Sequence, residues 1–166
     1  MSSKILRKIK RGLRRYKALK EMLTLFLLMG VFFFGVNGVL VLGLRTNSPI
    51  VGVSGNSMTH GDNVWADFYS DNEITNFPFQ EGINQGDLVF VKGANSIDEL
   101  KVGDVVVWRD RGKRIIHRVA IKKENFVVTR GDNNRYLDRK IGSDEIIGKA
   151  VISIPYLGYP SLWGAN

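Results

Sequence analysis

One apolar segment near the start of the chain constrains its fold more than any other feature. From Met22 to Leu44 no residue is charged, and the polar side chains are only those of Thr24 and Asn37. As a helix with a rise of ~1.5 Å per residue, this segment is roughly 34 Å long, which is enough to cross a hydrocarbon core of ~30 Å. The sequence therefore predicts one transmembrane helix over residues 22–44.

A cleaved signal peptide is the competing interpretation of this segment. Such a peptide has an apolar region of about 7–15 residues that ends in a cleavage site of small residues. Here the apolar run is longer, and the residues from Gly43 to Asn47 offer no such site. We therefore expect the segment to be an uncleaved anchor.

The residues before the anchor are strongly basic. Residues 1–21 hold nine lysines and arginines, whereas Arg45 is the basic residue just after the anchor. Because positive charge is retained on the cytoplasmic side, we predict a single-pass protein of the cell membrane with a cytoplasmic N-terminus and residues 45–166 outside. The basic segment is either an amphipathic helix that lies on lipid or a solvated tail. Its apolar positions have helical spacing: Ile5, Ile9, Leu13 and Tyr16.

The net charge of +8 comes from this basic segment and not from the remaining domain. Residues 46–166 hold 14 lysines and arginines against 15 aspartates and glutamates, so they give no sign of the basic face that nucleic-acid binding requires. We expect no nucleic-acid partner. The absence of cysteine excludes disulfides and thiolate chemistry. With two histidines in the chain, we also expect no metal or other cofactor, although an all-carboxylate cation site stays open.

Short β-branched runs separated by turn residues dominate the sequence after residue 86. Gly86-Asp87 and Gly103-Asp104 are typical turn residues, and each pair precedes such a run. No helical period is sustained after residue 70, so residues 45–166 are predicted to form one mostly β domain. The predicted strands cover residues 50–53, 88–91, 105–108, 115–121, 126–129, and 146–147 together with 150–154.

Five residues outside the anchor could together perform serine-dependent hydrolysis. Ser57 lies in a short polar stretch soon after the anchor, and a catalytic serine needs a base and usually an acid that orients the base. The two candidate bases are His117, within a predicted strand, and His60, three residues after the serine. The two candidate acids are Asp132 and Asp138. Each has a plain structural alternative, such as a tight turn for Asp132 and a surface ion pair for Asp138.

These residues lie in segments that resemble the motifs of type I signal peptidases. The resemblance extends over roughly residues 22–158 and depends on five segments that follow the anchor in the order of the family's motifs. A Gly-Asp pair before a strand is common, so the specificity comes from the ordered set. The segments are Ser57-Met58, Gly86 to Val91, Gly103 to Val107, Ile116 to Val119, and Gly131 to Asn134.

Position 117 decides between the branches of that family. Bacterial-type members carry a lysine base immediately before Arg-Val, and this chain has His117 there. The chain thus resembles the archaeal and endoplasmic-reticulum branch, which uses serine and histidine. The resemblance implies Ser57 as nucleophile, His117 as general base and Asp138 as orienting acid. Asp132 is expected to support the site, with a role as the orienting acid itself as the alternative.

Two positions depart from the family pattern. His60 stands where the family usually has proline. Gly55 stands where many bacterial members have a serine that helps to bind the oxyanion, so the backbone N–H of Ser57 is the expected oxyanion donor.

The resemblance implies a membrane-anchored serine endopeptidase that removes signal peptides from secretory preproteins. Its substrates would have small side chains at the first and third positions before the cut, and it would also contact membrane lipid. Whether accessory subunits take part stays open. One alternative is an inactive, membrane-tethered β-module that binds partners. Another is a self-cleaving serine–lysine protease of the SOS-repressor type, which the absence of a lysine at position 117 and the presence of an anchor disfavour.

Overall fold

The computed structural model describes residues 3–61, 65 and 68–162, without the side chains of residues 3–15 and 71. The predicted apolar face of the basic segment lies outside the described side chains, except for Tyr16. The chain divides into two compact units, Met1–Leu40 and Val41–Asn166. One helix runs continuously across the proposed boundary at residue 21. The division into a basic segment, an anchor and a domain at residues 21 and 44 stays a prediction.

Helix α1 spans Ser3–Leu44, and within it Tyr16–Leu44 is long and apolar enough to cross a membrane. The two polar side chains of residues 22–44 donate within the helix: Thr24 Oγ1 to the carbonyl oxygen of Lys20, and Asn37 Nδ2 to that of Phe33, both at 2.9 Å. Internal hydrogen bonds of this kind reduce the cost of placing polar groups in lipid. The helix is therefore suited to be the predicted membrane anchor.

Seven antiparallel strands form one sheet, in the order β1-β2-β7-β3-β4-β5-β6. This confirms the predicted mostly β domain behind one apolar helix. The strands are β1 (Ile50–Gly52), β2 (Leu88–Lys92), β3 (Val105–Asp110), β4 (Lys113–Lys122), β5 (Val127–Arg130), β6 (Lys140–Ile141) and β7 (Ile146–Ile154).

The central strand β3 is buried on both faces. Val105 and Val107 belong to one hydrophobic cluster, whereas Val106 and Trp108 belong to a second. Since successive strand residues point to opposite faces, a continuous apolar run is what such a strand requires. The first cluster also contains Met58, so the residue after Ser57 is anchored in the core.

The two Gly-Asp pairs form matching turns before β2 and β3. Gly86 and Gly103 adopt φ values of 89° and 91°, a region that glycine enters without strain. In each turn the aspartate side chain accepts a hydrogen bond at 2.9 Å from the backbone N–H three residues earlier. The predicted turns are therefore confirmed, and the aspartates serve as local backbone acceptors.

Several short elements were not predicted from the sequence. They are β6, the helices α2 (Asp71–Ile74) and α3 (Tyr159–Leu162), and the 3₁₀ helices Ile97–Glu99 and Ser143–Glu145. Each has two to four residues, which is too short for a hydrophobic period to become visible.

Candidate active site

Ser57, His117 and Asp138 form a continuous chain of hydrogen-bonding contacts. His117 Nε2 lies 3.1 Å from Ser57 Oγ, and His117 Nδ1 lies 2.6 Å from Asp138 Oδ2. The serine is on the loop after β1, the histidine is on β4, and the aspartate follows β5, so three separate segments meet here. The sheet thus brings together the three residues that the sequence analysis had selected.

This geometry suits proton transfer from the serine. A carboxylate that accepts the Nδ1 proton fixes the imidazole tautomer, which leaves the lone pair of Nε2 directed at the serine hydroxyl. His117 is 7% exposed, and its backbone is fixed opposite Val106 in the β3–β4 pairing. The arrangement can therefore orient a general base beside a hydroxyl nucleophile.

Asp138 is held in place by Thr129 of β5, a residue that the sequence analysis did not select. Thr129 Oγ1 donates to Asp138 Oδ2 at 2.5 Å, and the backbone N–H of Asp138 donates to the carbonyl oxygen of Thr129 at 2.8 Å. The signal available in the sequence was one hydroxyl side chain directly after two valines of a predicted strand. A fully buried threonine of this kind needs a hydrogen-bond partner, and Asp138 supplies it.

Asp132 faces Arg118 and His60, and no hydrogen bond joins it to His117 among the described residues. Its two carboxylate oxygens accept from Arg118 Nε and Nη2 at 2.9 and 2.7 Å, and Oδ2 also lies 2.7 Å from His60 Nε2. Burial acts to raise the pKa of Asp132, but the hydrogen bonds from His60 and Arg118 prevail and hold that pKa below its ordinary value. This position fits the expected supporting role better than that of the orienting acid.

Arg118 is fully buried beneath the site. Besides Asp132, its guanidinium donates to the carbonyl oxygens of Pro78 and Gly103, at 2.8 and 2.9 Å. It also lies over the rings of Trp65 and Phe77. A buried charge is tolerated when it is paired and fully hydrogen-bonded, as it is here.

The alternative base, His60, is occupied elsewhere. Its Nδ1 lies 2.7 Å from the carbonyl oxygen of Gln80, its Nε2 contacts Asp132, and its ring stacks on Trp65 with 4.3 Å between centroids. Both ring nitrogens face acceptors, so neither is directed at Ser57. The geometry thus favours His117 as the base.

The Gly131–Asn134 turn clamps the segment that carries the serine. The backbone N–H of Asn133 donates to the carbonyl oxygen of Ser57 at 2.8 Å, and Asn133 Nδ2 donates to that of Asn56 at 3.3 Å. A Cβ atom at Gly131 would lie 2.7 Å from the Ser57 carbonyl oxygen, so the close approach requires glycine. The turn therefore has a role beyond reversing the chain.

The oxyanion would meet a backbone donor at this site. Among the described residues no acceptor takes the backbone N–H of Ser57, which leaves it available. Gly55 provides no side-chain donor, and the space around its α-carbon is open.

The scattered aromatic residues of the loop before β2 form a satellite cluster. Tyr69 makes edge-on contacts with Phe68 and Phe77, and Arg130 lies over the rings of Phe68 and Tyr69. Burial raises the pKa of Tyr69 to about 12. These contacts are those of aromatic side chains packed under a loop and not those of a rim open to substrate.

No group of three or more potential metal ligands occurs among the described residues.

Comparison with known proteins defines first the class of the domain. Residues 72–151 match the family described as Peptidase S24-like, and this range contains His117, Asp132 and Asp138 but not Ser57. The antiparallel domain thus has a peptidase S24-like fold.

The more specific similarity is to signal peptidases. The chain is 35% identical over 97 residues to the signal peptidase complex catalytic subunit SEC11 of Colletotrichum graminicola. It is 33% identical over 101 residues to that of Pyricularia oryzae, and 34% identical over 97 residues to that of Sclerotinia sclerotiorum. Each alignment covers 50% of this chain and 56% of the relative, so the chain spans little more than half the length of these relatives. The resemblance to the Ser–His type I signal peptidases, predicted from the motifs, is confirmed.

Proposed function

We propose that this protein is a membrane-anchored serine endopeptidase that removes signal peptides from exported preproteins. The observation that carries the proposal is the hydrogen-bonded chain from Ser57 through His117 to Asp138, with contacts of 3.1 and 2.6 Å. The curated relatives named as signal peptidase catalytic subunits support the substrate class. The histidine at position 117 supports the Ser–His chemistry over the serine–lysine alternative.

In the proposed reaction, Ser57 Oγ attacks the scissile carbonyl while His117 Nε2 takes its proton. The tetrahedral oxyanion is stabilised by the backbone N–H of Ser57, and His117 then returns the proton to the leaving amine. Water hydrolyses the acyl-enzyme by the same base. Asp138 accepts from Nδ1 throughout and stabilises the imidazolium, while Asp132 supports the site from behind.

The anchor contributes by confining enzyme and substrate to one membrane. The apolar part of α1 and a signal peptide would lie in the same bilayer, so the effective concentration of the cleavage site is high without extensive side-chain contacts. The proposed substrate has small residues at the first and third positions before the cut, and an extended backbone that pairs with a strand edge. We place the catalytic domain on the extracytoplasmic side, where such precursors emerge. Whether this chain acts alone or with further subunits, as the names of its relatives suggest for them, is decided by the same assay.

The test is cleavage of a secretory precursor by the full chain in membranes. We expect wild type to cut, and Ser57→Ala and His117→Ala to lose about 10⁶-fold in kcat because nucleophile and base act as a unit. Asp138→Asn should lose about 10⁴-fold through the wrong tautomer of the histidine. His117→Lys tests the serine–lysine alternative and should be inactive in this geometry.

A different result would support the inactive β-module. If wild type fails on a precursor that another signal peptidase cleaves, even with candidate partner subunits present, the proposal is wrong. If wild type cuts and His117→Ala cuts equally well, the peptidase stands but the base is another residue.

A further inference from the structure

Ser57 and His117, the proposed nucleophile and base, are linked by a second set of contacts besides their own hydrogen bond. Ser57 is three residues before His60, His60 Nε2 lies 2.7 Å from Asp132, and Asp132 is paired with Arg118. Arg118 is the neighbour of His117 in β4. The carboxylate of Asp132 therefore lies between a residue of the serine loop and a residue of the histidine strand.

His60 is held firmly within this set of contacts. Its ring stacks on Trp65 with an interplanar angle of 11°, and its second nitrogen lies 2.7 Å from the carbonyl oxygen of Gln80. The backbone of Gly82 approaches so closely that a Cβ atom there would lie 3.0 Å from the backbone nitrogen of His60 and 2.8 Å from the carbonyl oxygen of Met58. The side chain of His60 is 10% exposed. A residue packed on so many sides transmits its position to the adjacent loop.

The serine contact is the one most sensitive to displacement. The distance of 3.1 Å between Ser57 Oγ and His117 Nε2 is near the long end for such a bond, whereas the His117–Asp138 contact is 2.6 Å. The other ties of the serine loop end on its backbone carbonyl oxygens: the N–H groups of Asn133 and Ile83 donate to those of Ser57 and Met58, and Asn133 Nδ2 donates to that of Asn56. Among the described side chains of residues 56–60, only that of His60 joins the loop to an ionised partner. A misplacement of about 1 Å can cost 10²-fold in rate.

We propose that His60 is a positioning residue that holds Ser57 within reach of His117 through Asp132. This inference rests on the proposed function and deepens it: it assigns a role to the residue that stands where the related signal peptidases usually have proline. His60 itself transfers no proton to the substrate. Its contribution is the distance between nucleophile and base.

Two substitutions of His60 separate positioning from packing. His60→Phe keeps a flat ring against Trp65 and removes both hydrogen bonds, whereas His60→Gln keeps one amide donor for Asp132. We expect His60→Phe to lower kcat for precursor cleavage by about 10- to 100-fold with KM changed less than twofold. His60→Gln should lose less in kcat. Ile141→Val, in the second core cluster, is the matched packing control and should leave kcat unchanged.

A second measurement reads the geometry without relying on activity. The chain has two histidines, so protein labelled with ¹⁵N in the histidine rings gives two sets of signals. In His60→Phe, the remaining set belongs to His117. We expect the His117 Nε2 resonance in His60→Phe to shift toward its position in Ser57→Ala, where the serine partner is absent. His60→Gln should shift it less.

The outcomes distinguish the inference from the proposed function. If wild type cleaves precursor while His60→Phe retains both its kcat and the wild-type His117 resonance, positioning by His60 is refuted and the peptidase stands. A loss of activity with an unmoved His117 resonance also refutes it. If wild type does not cleave but the resonance shifts as in Ser57→Ala, the positioning role holds and the proposed function fails.

Discussion

At the scale of single residues, one oxygen atom of Asp138 receives two donors. Oδ2 lies 2.6 Å from His117 Nδ1 and 2.5 Å from Thr129 Oγ1. The hydroxyl of Thr129 therefore fixes the rotamer of the acid that fixes the tautomer of the base. A hydrogen bond to a charged group contributes about 1.5–3 kcal/mol.

Removing this hydroxyl should slow the proposed reaction. Thr129→Val preserves the branched shape in a fully buried site and deletes the donor, and we expect kcat to fall about 10- to 100-fold. Thr129→Ser retains the hydroxyl and is the matched control, with an expected loss of less than fivefold. Steady-state cleavage of a precursor measures both. Equal activity of the valine and wild-type proteins would show that Asp138 is oriented without Thr129.

Asp132 should make stability depend on pH in the acid range. Its folded-state pKa lies below the unfolded value of about 3.9, because hydrogen bonds from His60 and Arg118 outweigh burial. Its stabilisation is therefore fully present above that unfolded value and is lost as pH falls through the lower folded-state pKa. Replacing it also leaves the buried Arg118 without its counter-ion, which costs about 3–5 kcal/mol.

We accordingly expect Asp132→Asn to be less stable than wild type at neutral pH, with the difference narrowing below about pH 4. Unfolding in detergent, followed between pH 7 and pH 2, measures that difference. Glu73→Gln is the control, since hydrogen bonds from Ser70 also lower the pKa of Glu73 but its carboxylate is fully exposed. A constant gap between Asp132→Asn and wild type over the whole range would contradict the argument.

The residues with the strongest chemical signature could be selected from the sequence, and those that support them could not. A chain with two histidines offers few candidate bases, so Ser57, His117 and the two aspartates followed from residue type, order and the resemblance. The contacts of Thr129 and His60 with those acids join residues 9 and 72 positions apart. No local pattern encodes a pairing of that kind, because it depends on how the folded sheet and its loops bring distant segments together.

At the scale of elements, the sequence predicted the longer strands because their patterns reflect burial. β3 appears as an uninterrupted apolar run since both of its faces lie in the core. The two-residue strand β6 has no such pattern: Lys140 is exposed and Ile141 is buried, and its strand state comes from pairing with β5. Short elements are defined by their partners more than by their own residues.

The pairing of β2 with β7 gives a prediction at this scale. Gly148 lies just beyond the last β2–β7 pair, Lys92 with Lys149, and a Cβ atom there would clash with the carbonyl oxygen of Lys92. A backbone carbonyl group cannot move away from an added methyl group as the end of a flexible side chain can. We therefore expect Gly148→Ala to lower the free energy of unfolding by about 1–3 kcal/mol. Gly55→Ala, where the space is open, should change it by less than about 0.5 kcal/mol. Denaturant unfolding compares the two, and equal stabilities would disprove the close approach.

At the scale of the whole molecule, the proposed mechanism requires that the catalytic domain face the compartment into which precursors emerge. The charge distribution predicts this orientation, with nine basic residues before the anchor and Arg45 after it. Because the chain contains no cysteine, one introduced thiol reports its side of the membrane without background. Glu124, exposed between β4 and β5, is a suitable position.

We expect Glu124→Cys in intact cells to react with a membrane-impermeant maleimide. Neutral replacement of the nine basic residues in the first 20 should shift a substantial fraction of molecules to the opposite orientation, which blocks labelling and precursor cleavage together. Arg45→Gln is the control: removing the one basic residue just after the anchor increases the charge bias and should preserve both signals. Unlabelled Glu124→Cys protein that becomes reactive only after the cells are opened would place the domain in the cytoplasm and exclude the proposed access to exported precursors.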